Sequence, residues 1–156
     1  MNMNEVLRME KFQQILKHYG PALARALLAQ VFIISGCGKI KAFAATAALM
    51  GNLGLPAPQL LLALTIALEI GGGALLVLGW QARWLALAFF GFTFLTAVIV
   101  HPFWSAEPAN FGGQLNNFMK NLAIMGGMLY IAVYGAGPLA LDREPATSAE
   151  RARKKR

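Results

Sequence analysis

Long apolar runs alternate with short polar connections along most of this chain. Four runs of 20 to 22 residues contain few charged side chains, and they occupy residues 21–40, 59–79, 83–104 and 118–138. Each is close to the roughly 20 residues that cross a bilayer as an α-helix. The pattern predicts an all-α fold, an integral membrane four-helix bundle, with no room for a separate soluble domain.

The segment before the first run has a different pattern. Apolar residues recur there at near-helical spacing among polar ones, which is typical of an amphipathic helix at the membrane surface. These residues are Val6, Leu7, Met9, Phe12, Ile15 and Leu16. We expect Gly20-Pro21 to end this short helix, with Pro21 in the first turn of the next one. The predicted organisation is an amphipathic cytoplasmic or interfacial lead-in at 1–20, a four-span domain at 21–138 and a basic cytoplasmic tail at 139–156.

Composition and charge support a membrane location and indicate an orientation. Hydrophobic residues make up 57% of the chain and charged residues 13%, far from the usual soluble mixture. The net charge of +7 and the final RARKKR could indicate nucleic acid binding. Beside membrane spans, however, Lys and Arg mark the cytoplasmic side. We therefore predict a multi-pass protein of the bacterial inner membrane with both termini cytoplasmic, whose partner is the lipid bilayer and not nucleic acid.

The stretch Ser35-Gly36-Cys37 after an apolar run resembles a lipoprotein cleavage site. A lipoprotein has a soluble body after its cysteine, whereas more membrane sequence follows Cys37, and the preceding segment is long and carries both acids and bases. We expect residues 1–36 to be retained and Cys37 to be a small packing residue. One cysteine also excludes an internal disulfide and a C-x-x-C redox pair.

Ionisable and amide side chains inside the spans are the candidate site, because they are costly in lipid and usually face the bundle or a water-filled cavity. The rise per residue places Glu69 near the middle of the second span and Lys39, His101 and Lys120 in one layer towards the outer side. The predicted pocket consists of Lys39, Glu69, His101, Asn117, Lys120 and Asn121. Arg25 and Arg83 are predicted to be anchors at the inner interface.

Helical periodicity predicts which faces turn inwards. At about 100° per residue, Arg25, Ala29, Phe32, Gly36 and Lys39 form one stripe on the first span that we expect to face the bundle. On the second span, the corresponding stripe is Thr65, Glu69, Gly72 and Gly73.

The site residues also have purely structural interpretations. Glu69 could simply neutralise Lys39 or Lys120, since an unpaired buried charge costs several kcal/mol. The two lysines could extend to the headgroups, and His101-Pro102 could only terminate the third span. No metal site is predicted, because the chain's other histidine, His18, is expected on the opposite side of the membrane.

At these residues the sequence resembles the DoxX family, in its short four-span inner-membrane branch. The resemblance rests on FIISGCGKIKAF, LGLPAP, ALEIGGGALLVLGWQARWLAL, VIVHPFW and NNFMKNLAIMGGMLYIAVYGAGPLALDR, which lie between about 25 and 143. It implies a four-helix bundle and a link to quinone-dependent or thiol-linked redox systems, without a settled reaction. The polar positions that match are Lys39, Glu69, Arg83, His101, Asn117, Lys120 and Asn121.

Three functions are compatible with the sequence. The first is a membrane component of a redox or oxidative-stress system, with a quinone headgroup bound among the spans and electrons supplied by a membrane or redox partner protein. The second is a non-catalytic assembly or interaction subunit, for which the glycine-rich faces favour homo-oligomers. The third is a pathway for protons or small solutes, for which Glu69 near the midplane is the main feature.

Overall fold

A computed structural model describes residues 2–142, and this part of the chain is helical with no strand. The prediction of an all-α fold is confirmed. The elements are α1 (Met3–Lys41), α2 (Phe43–Asn52), α3 (Pro58–Ile66), a π-helical segment (Ala67–Gly72), α4 (Gly73–Leu78), α5 (Ala82–Val100), a 3₁₀ turn (Phe103–Ser105) and α6 (Pro108–Tyr134). The helices α3 and α4 and the π segment form one continuous stretch, Pro58–Leu78.

Three stretches are long and apolar enough to cross a membrane: Met3–Lys41, Pro58–Leu78 and Ala82–Ser105. The fourth predicted span, 118–138, overlaps the second part of α6 and extends four residues past its end; α6 is 27 residues long and therefore about 40 Å in length. Its first half contains several amides and a lysine, which lower its mean hydropathy. The most extensive helix pairing in the fold is that of α6 with α5.

The amphipathic lead-in is helical, but it is not a separate element. The helix α1 begins at Met3 and continues through Gly20 and Pro21 to Lys41. A proline inside a helix removes one backbone hydrogen bond and often bends the helix without ending it. The helix boundary that we expected at Gly20-Pro21 is therefore wrong.

The inward stripe predicted on α1 is confirmed. The buried residues of this helix are Arg25, Ala29, Phe32 and Gly36, one turn apart on one face. Phe32 packs on Phe89 of α5 with 4.1 Å between the ring centroids. The core around this contact also contains Ala29, Leu76, Ala82, Ala86, Met128, Ile131 and Ala136.

Glycines let α1 approach the π segment and α4 closely. A Cβ atom on Gly36 would lie 2.7 Å from Cγ1 of Ile70 and 3.2 Å from Cβ of Glu69. A Cβ atom on Gly73 would lie 2.8 Å from Cγ1 of Ile33 on α1. Small residues at these positions bring the two backbones together, as in other membrane helix pairs.

Residues 135–142, which we call the C-terminal clasp, fold back across one end of the bundle. The Leu141 and Asp142 amides donate to the carbonyls of Leu78 and Gly79, at 3.0 and 2.9 Å. The Asp142 carboxylate accepts from the backbone N–H groups of Gln81 and Ala82, both at 2.9 Å, and so caps the start of α5. The tail that we placed at 139–156 thus begins as part of the fold, and residues 143–156 lie outside the described residues.

Candidate functional site

Glu69 is the buried carboxylate at the centre of the candidate site. It lies in the π-helical segment and is 2% exposed. A π-helical turn inserts an extra residue into the helix and is found frequently at functional sites. Inside a membrane span, a buried carboxylate needs compensating partners within the protein.

Those partners are Lys39 and Ser35 of α1. The Lys39 ammonium lies 2.8 Å from Oε1 and 2.9 Å from Oε2 of Glu69, and it donates to the Ser35 hydroxyl at 2.6 Å. The Ser35 hydroxyl donates to Oε1 of Glu69 at 3.1 Å. We call these three residues the Lys39 triad. The sequence left open whether Glu69 pairs with Lys39 or Lys120, and the structure selects Lys39.

The triad is buried on one side and open on the other. The side chain of Glu69 is 3% exposed, whereas that of Lys39 is 25% exposed. The carboxylate is therefore sealed inside the protein, while the ammonium lies at its surface. This arrangement fixes the position of a partly accessible positive charge.

A second polar group joins the end of α5 to α6. Nδ1 of His101 lies 2.9 Å from Oε1 of Gln114, and the hydrogen bond requires a proton on that ring nitrogen. Among residues 2–142, no hydrogen bond connects this pair to the Lys39 triad. Three of the six predicted pocket residues, Lys39, Glu69 and His101, thus lie in two separate polar groups.

The remaining pocket candidates lie on α6 and make no hydrogen bonds with other described side chains. Lys120 is exposed and Asn117 is half-buried. Asn121 is also half-buried, and its Nδ2 atom is buried with no hydrogen-bond partner in the described part of the chain. A buried hydroxyl without such a partner, that of Thr93, occurs on α5.

The two arginines have different environments. Arg25 is 1% exposed and donates to the carbonyls of Ala136, Leu139 and Val77, so it supports the clasp from inside the bundle. Arg83 is exposed, and its Nη1 donates to the carbonyls of Ala132 and Val133 near the end of α6. Both arginines lie at one end of the bundle, and their place at the inner interface stays a prediction.

Cys37 also differs from expectation. It is exposed on the surface of α1 and does not pack inside this chain. Across residues 2–142, no group of three or more His, Cys, Asp or Glu side chains is placed to hold a metal ion.

Sequence reasoning missed two members of these polar groups, Ser35 and Gln114. Ser35 precedes Lys39 by four residues on the same helix, and this spacing places two side chains side by side. The contact of Ser35 with Lys39 could therefore be predicted from the sequence. Gln114 has no comparable signal, because its contact with His101 depends on how α5 and α6 pair.

The fold and the Lys39 triad define a helical integral membrane protein with a buried ion pair between two of its spans. Residues 20–102 match the family model described as DoxX, and the chain belongs to this family. It is similar to the inner membrane protein YqjF of Escherichia coli K12, at 40% identity over 130 residues that cover 82% of this chain and 93% of the relative. It is also similar to the inner membrane protein YphA of the same organism, at 37% identity over 121 residues, which cover 78% and 86%. No solved structure matches the chain.

The protein is thus a DoxX-family integral inner-membrane protein.

Proposed function

We propose that this protein is a ligand-binding membrane component of a quinone-linked redox system, with Lys39 as the residue that contacts the headgroup. The supporting observation is the asymmetry of the Lys39 triad. Glu69 and Ser35 hold the ammonium from the buried side, and a quarter of the Lys39 side chain is exposed on the other side.

The hydrogen-bonding capacity of Lys39 supports this role. An ammonium has three N–H donors, and its acceptors here belong to two groups, the Glu69 carboxylate and the Ser35 hydroxyl. One N–H can be shared between the two carboxylate oxygens, which leaves one donor for a ligand carbonyl. This donor also favours a ligand oxygen that gains negative charge on reduction.

The electrons in this proposal come from a partner protein. Repeated two-electron transfer to a quinone needs a redox cofactor or a pair of thiols that can form a disulfide. The chain has one cysteine, so it has no internal dithiol. Its role is to hold the headgroup while a membrane or redox partner reduces or oxidises it.

A titration with a short-chain benzoquinone tests this function, using the protein in lipid nanodiscs. We expect Lys39→Met to weaken binding by about 10- to 100-fold, the range for loss of a hydrogen bond to a charged group. Lys120→Met is the matched control, because Lys120 is exposed and lies outside the triad. It should change the affinity by less than threefold. Absence of binding by the unmodified protein, or equal effects of the two variants, would refute the proposal.

A non-catalytic assembly subunit is the second candidate, and the donors to the Glu69 carboxylate favour it. Lys39 donates to both carboxylate oxygens and Ser35 to Oε1, so α1 alone compensates this buried group. If the ion pair serves only to join α1 to the π segment, the quinone titration fails while the loss of stability on breaking the pair remains.

For the membrane arrangement, we propose four crossings with both termini in the cytoplasm. The length of α6 and its extensive packing along α5 support a fourth crossing. Arg25, Arg83 and the clasp lie at the same end of the bundle, and basic residues favour the cytoplasmic side.

A further inference from the structure

The N-terminal part of α1 is not covered by any other described part of the chain, since residues 7–19 are all exposed. Met9, Phe12, Leu16, Tyr19 and Leu23 are each between 51% and 61% exposed. At 100° per residue they lie within about 80° of one another, and their face points about 140° away from the stripe that packs into the bundle. These residues therefore form a continuous apolar strip on the outside of the fold, which we call the outer strip.

The spacing of the outer strip is that of a coiled coil. Met9, Leu16 and Leu23 are seven residues apart, and Phe12 and Tyr19 fall three residues after the first two. This is the a and d pattern of a heptad repeat. Five of the six outward b, c and f positions over the same two heptads are polar, and the sixth is Pro21; the polar ones are Glu10, Lys11, Gln14, Lys17 and His18.

In the membrane part of α1 the a positions remain exposed, whereas the d position Ile33 packs against the core of its own bundle. Gln30 is the next a position after Leu23, and it is exposed. It lies in the middle of the apolar run 21–40, so its amide is about 15 Å from either end of that run. No hydrogen bond joins its side chain to another described residue. An amide left in hydrocarbon without a partner costs several kcal/mol.

An amide at an a position is self-complementary. It contains one hydrogen-bond acceptor and two donors, so two glutamines facing each other across a two-fold axis can each donate to the other. Polar residues at single a positions select partner and register in coiled coils, and amides join helices in membranes. The next a position after Gln30 is Cys37, a small and exposed side chain.

The length of α1 suits a helical partner as the cover of this strip. With 39 residues, α1 is about 58 Å long, nearly twice the roughly 30 Å of hydrocarbon. Two copies inserted in the same orientation present their α1 helices in parallel, so the strip of one copy can face that of the other both inside and outside the membrane.

We propose that a second copy of this chain packs along the outer strip of α1, forming a parallel two-stranded interface. Met9, Leu16, Leu23, Gln30 and Cys37 occupy its a positions. The Gln30 side chains of the two copies hydrogen-bond to each other within the membrane, and the N-terminal part of α1 continues the pairing outside it. This interface is independent of any ligand at the Lys39 triad.

Disulfide cross-linking in membrane vesicles tests the interface, because Cys37 is the only cysteine. Copper phenanthroline should convert most of the protein to a covalent dimer through Cys37. In a Cys37→Ser background, Leu23→Cys should also cross-link, since it occupies another a position. Val31→Cys in that background is the matched control, because position 31 is exposed but lies at an outward b position. Failure of both a-position cysteines to cross-link, or equal cross-linking at position 31, would overturn the dimer.

The role of Gln30 is tested by measuring dimer dissociation in lipid bilayers by energy transfer between labelled copies. We expect Gln30→Leu to raise the dissociation constant by about 3- to 30-fold, the range for an interhelical amide hydrogen bond. Gln30→Asn keeps the self-complementary amide and should restore most of the affinity. An unchanged or lower dissociation constant for Gln30→Leu would refute the amide contact, whatever the cross-linking result.

Discussion

The Lys39 ammonium lies 2.8 Å from Oε1 of Glu69, and this contact joins α1 to the π-helical segment of the second span. The two residues are 30 positions apart in the chain. The ion pair therefore restrains two spans whose connection includes α2 and the loop after it. Because Glu69 is almost completely buried, the free energy of the pair depends on both members being present.

We expect Glu69→Ala to destabilise the protein clearly. Removing one member of a buried ion pair costs about 3–5 kcal/mol in soluble proteins, because the other charge stays uncompensated. Once Glu69 is absent, Lys39→Met should cost little more, so the double variant should be more stable than additivity predicts by about 1–3 kcal/mol. Unfolding in detergent of the four proteins of this double-mutant cycle measures the coupling.

Lys120 gives the control for this cycle. It is exposed and makes no ion pair with the described residues. Glu69→Ala combined with Lys120→Met should be additive within about 0.5 kcal/mol. Coupling of Glu69 to Lys120 and not to Lys39 would contradict the structure.

Replacement by alanine should change the stability of the protein differently at Gly36 and at Gly38, two glycines separated by one residue. A Cβ on Gly36 would lie 2.7 Å from Ile70 and 3.2 Å from Glu69, whereas a Cβ on Gly38 would meet nothing within 4 Å. Gly36→Ala should therefore destabilise by about 1–3 kcal/mol through overpacking. Gly38→Ala should be neutral or stabilising by up to about 1 kcal/mol, because glycine is a poor helix former. Melting temperatures of the two variants, measured side by side, check this; equal shifts would contradict the close approach of α1 to the π segment.

The comparison of sequence and structure shows which features periodicity can predict. The inward face of α1 follows from the spacing of Arg25, Ala29, Phe32 and Gly36, because each helix has one period and one buried side. The pairing of Glu69 with a lysine followed from the cost of a buried charge. The choice of Lys39 required the structure, because depth along a span does not determine which side chains meet across helices.

The sequence carries weaker signals of the π segment and of the clasp. The π segment differs from an α-helix only in its backbone hydrogen bonds, so the apolar pattern around Glu69 looks like an ordinary span. The clasp has no period, and its contacts with Arg25 and Gly79 join distant parts of the chain. The place of Arg25 on the inward stripe indicated that it is buried, whereas its contacts with the clasp could not be predicted from that stripe.

Arg25 should be needed for the clasp. Its guanidinium donates to the carbonyls of Ala136 and Leu139, and it is buried. Arg25→Met would leave these acceptors without a donor, at about 1–3 kcal/mol for each carbonyl that water does not reach. Arg25→Lys should recover only part of the loss, because an ammonium does not reproduce the planar fork of donors.

Arg8→Met is the control for Arg25, because Arg8 is exposed on the N-terminal part of α1. It should leave the melting temperature nearly unchanged. Protease accessibility of the clasp gives a second readout, since its release in Arg25→Met should expose residues 135–142 to cleavage. A clasp that stays protected in this variant would show that the contacts of Asp142 with the start of α5 are sufficient.

The final prediction concerns the chain's two ends and Cys37. Arg25 of α1, the clasp and the start of α5 meet at one end of the bundle, so the N-terminal part of α1 and residue 142 leave the bundle on the same side. Since basic residues favour the cytoplasm, a fluorescent reporter fused after Arg143 should be active in the cytoplasm, and a periplasmic phosphatase at the same position should be inactive. Intact mass should show residues 1–36 retained and a free Cys37 thiol, because further membrane sequence follows Cys37 where a lipoprotein has a soluble body. Phosphatase activity would show that the orientation is the opposite one. Loss of residues 1–36 would show that Cys37 is a lipidation site, and this cleavage would also remove the outer strip from the mature protein.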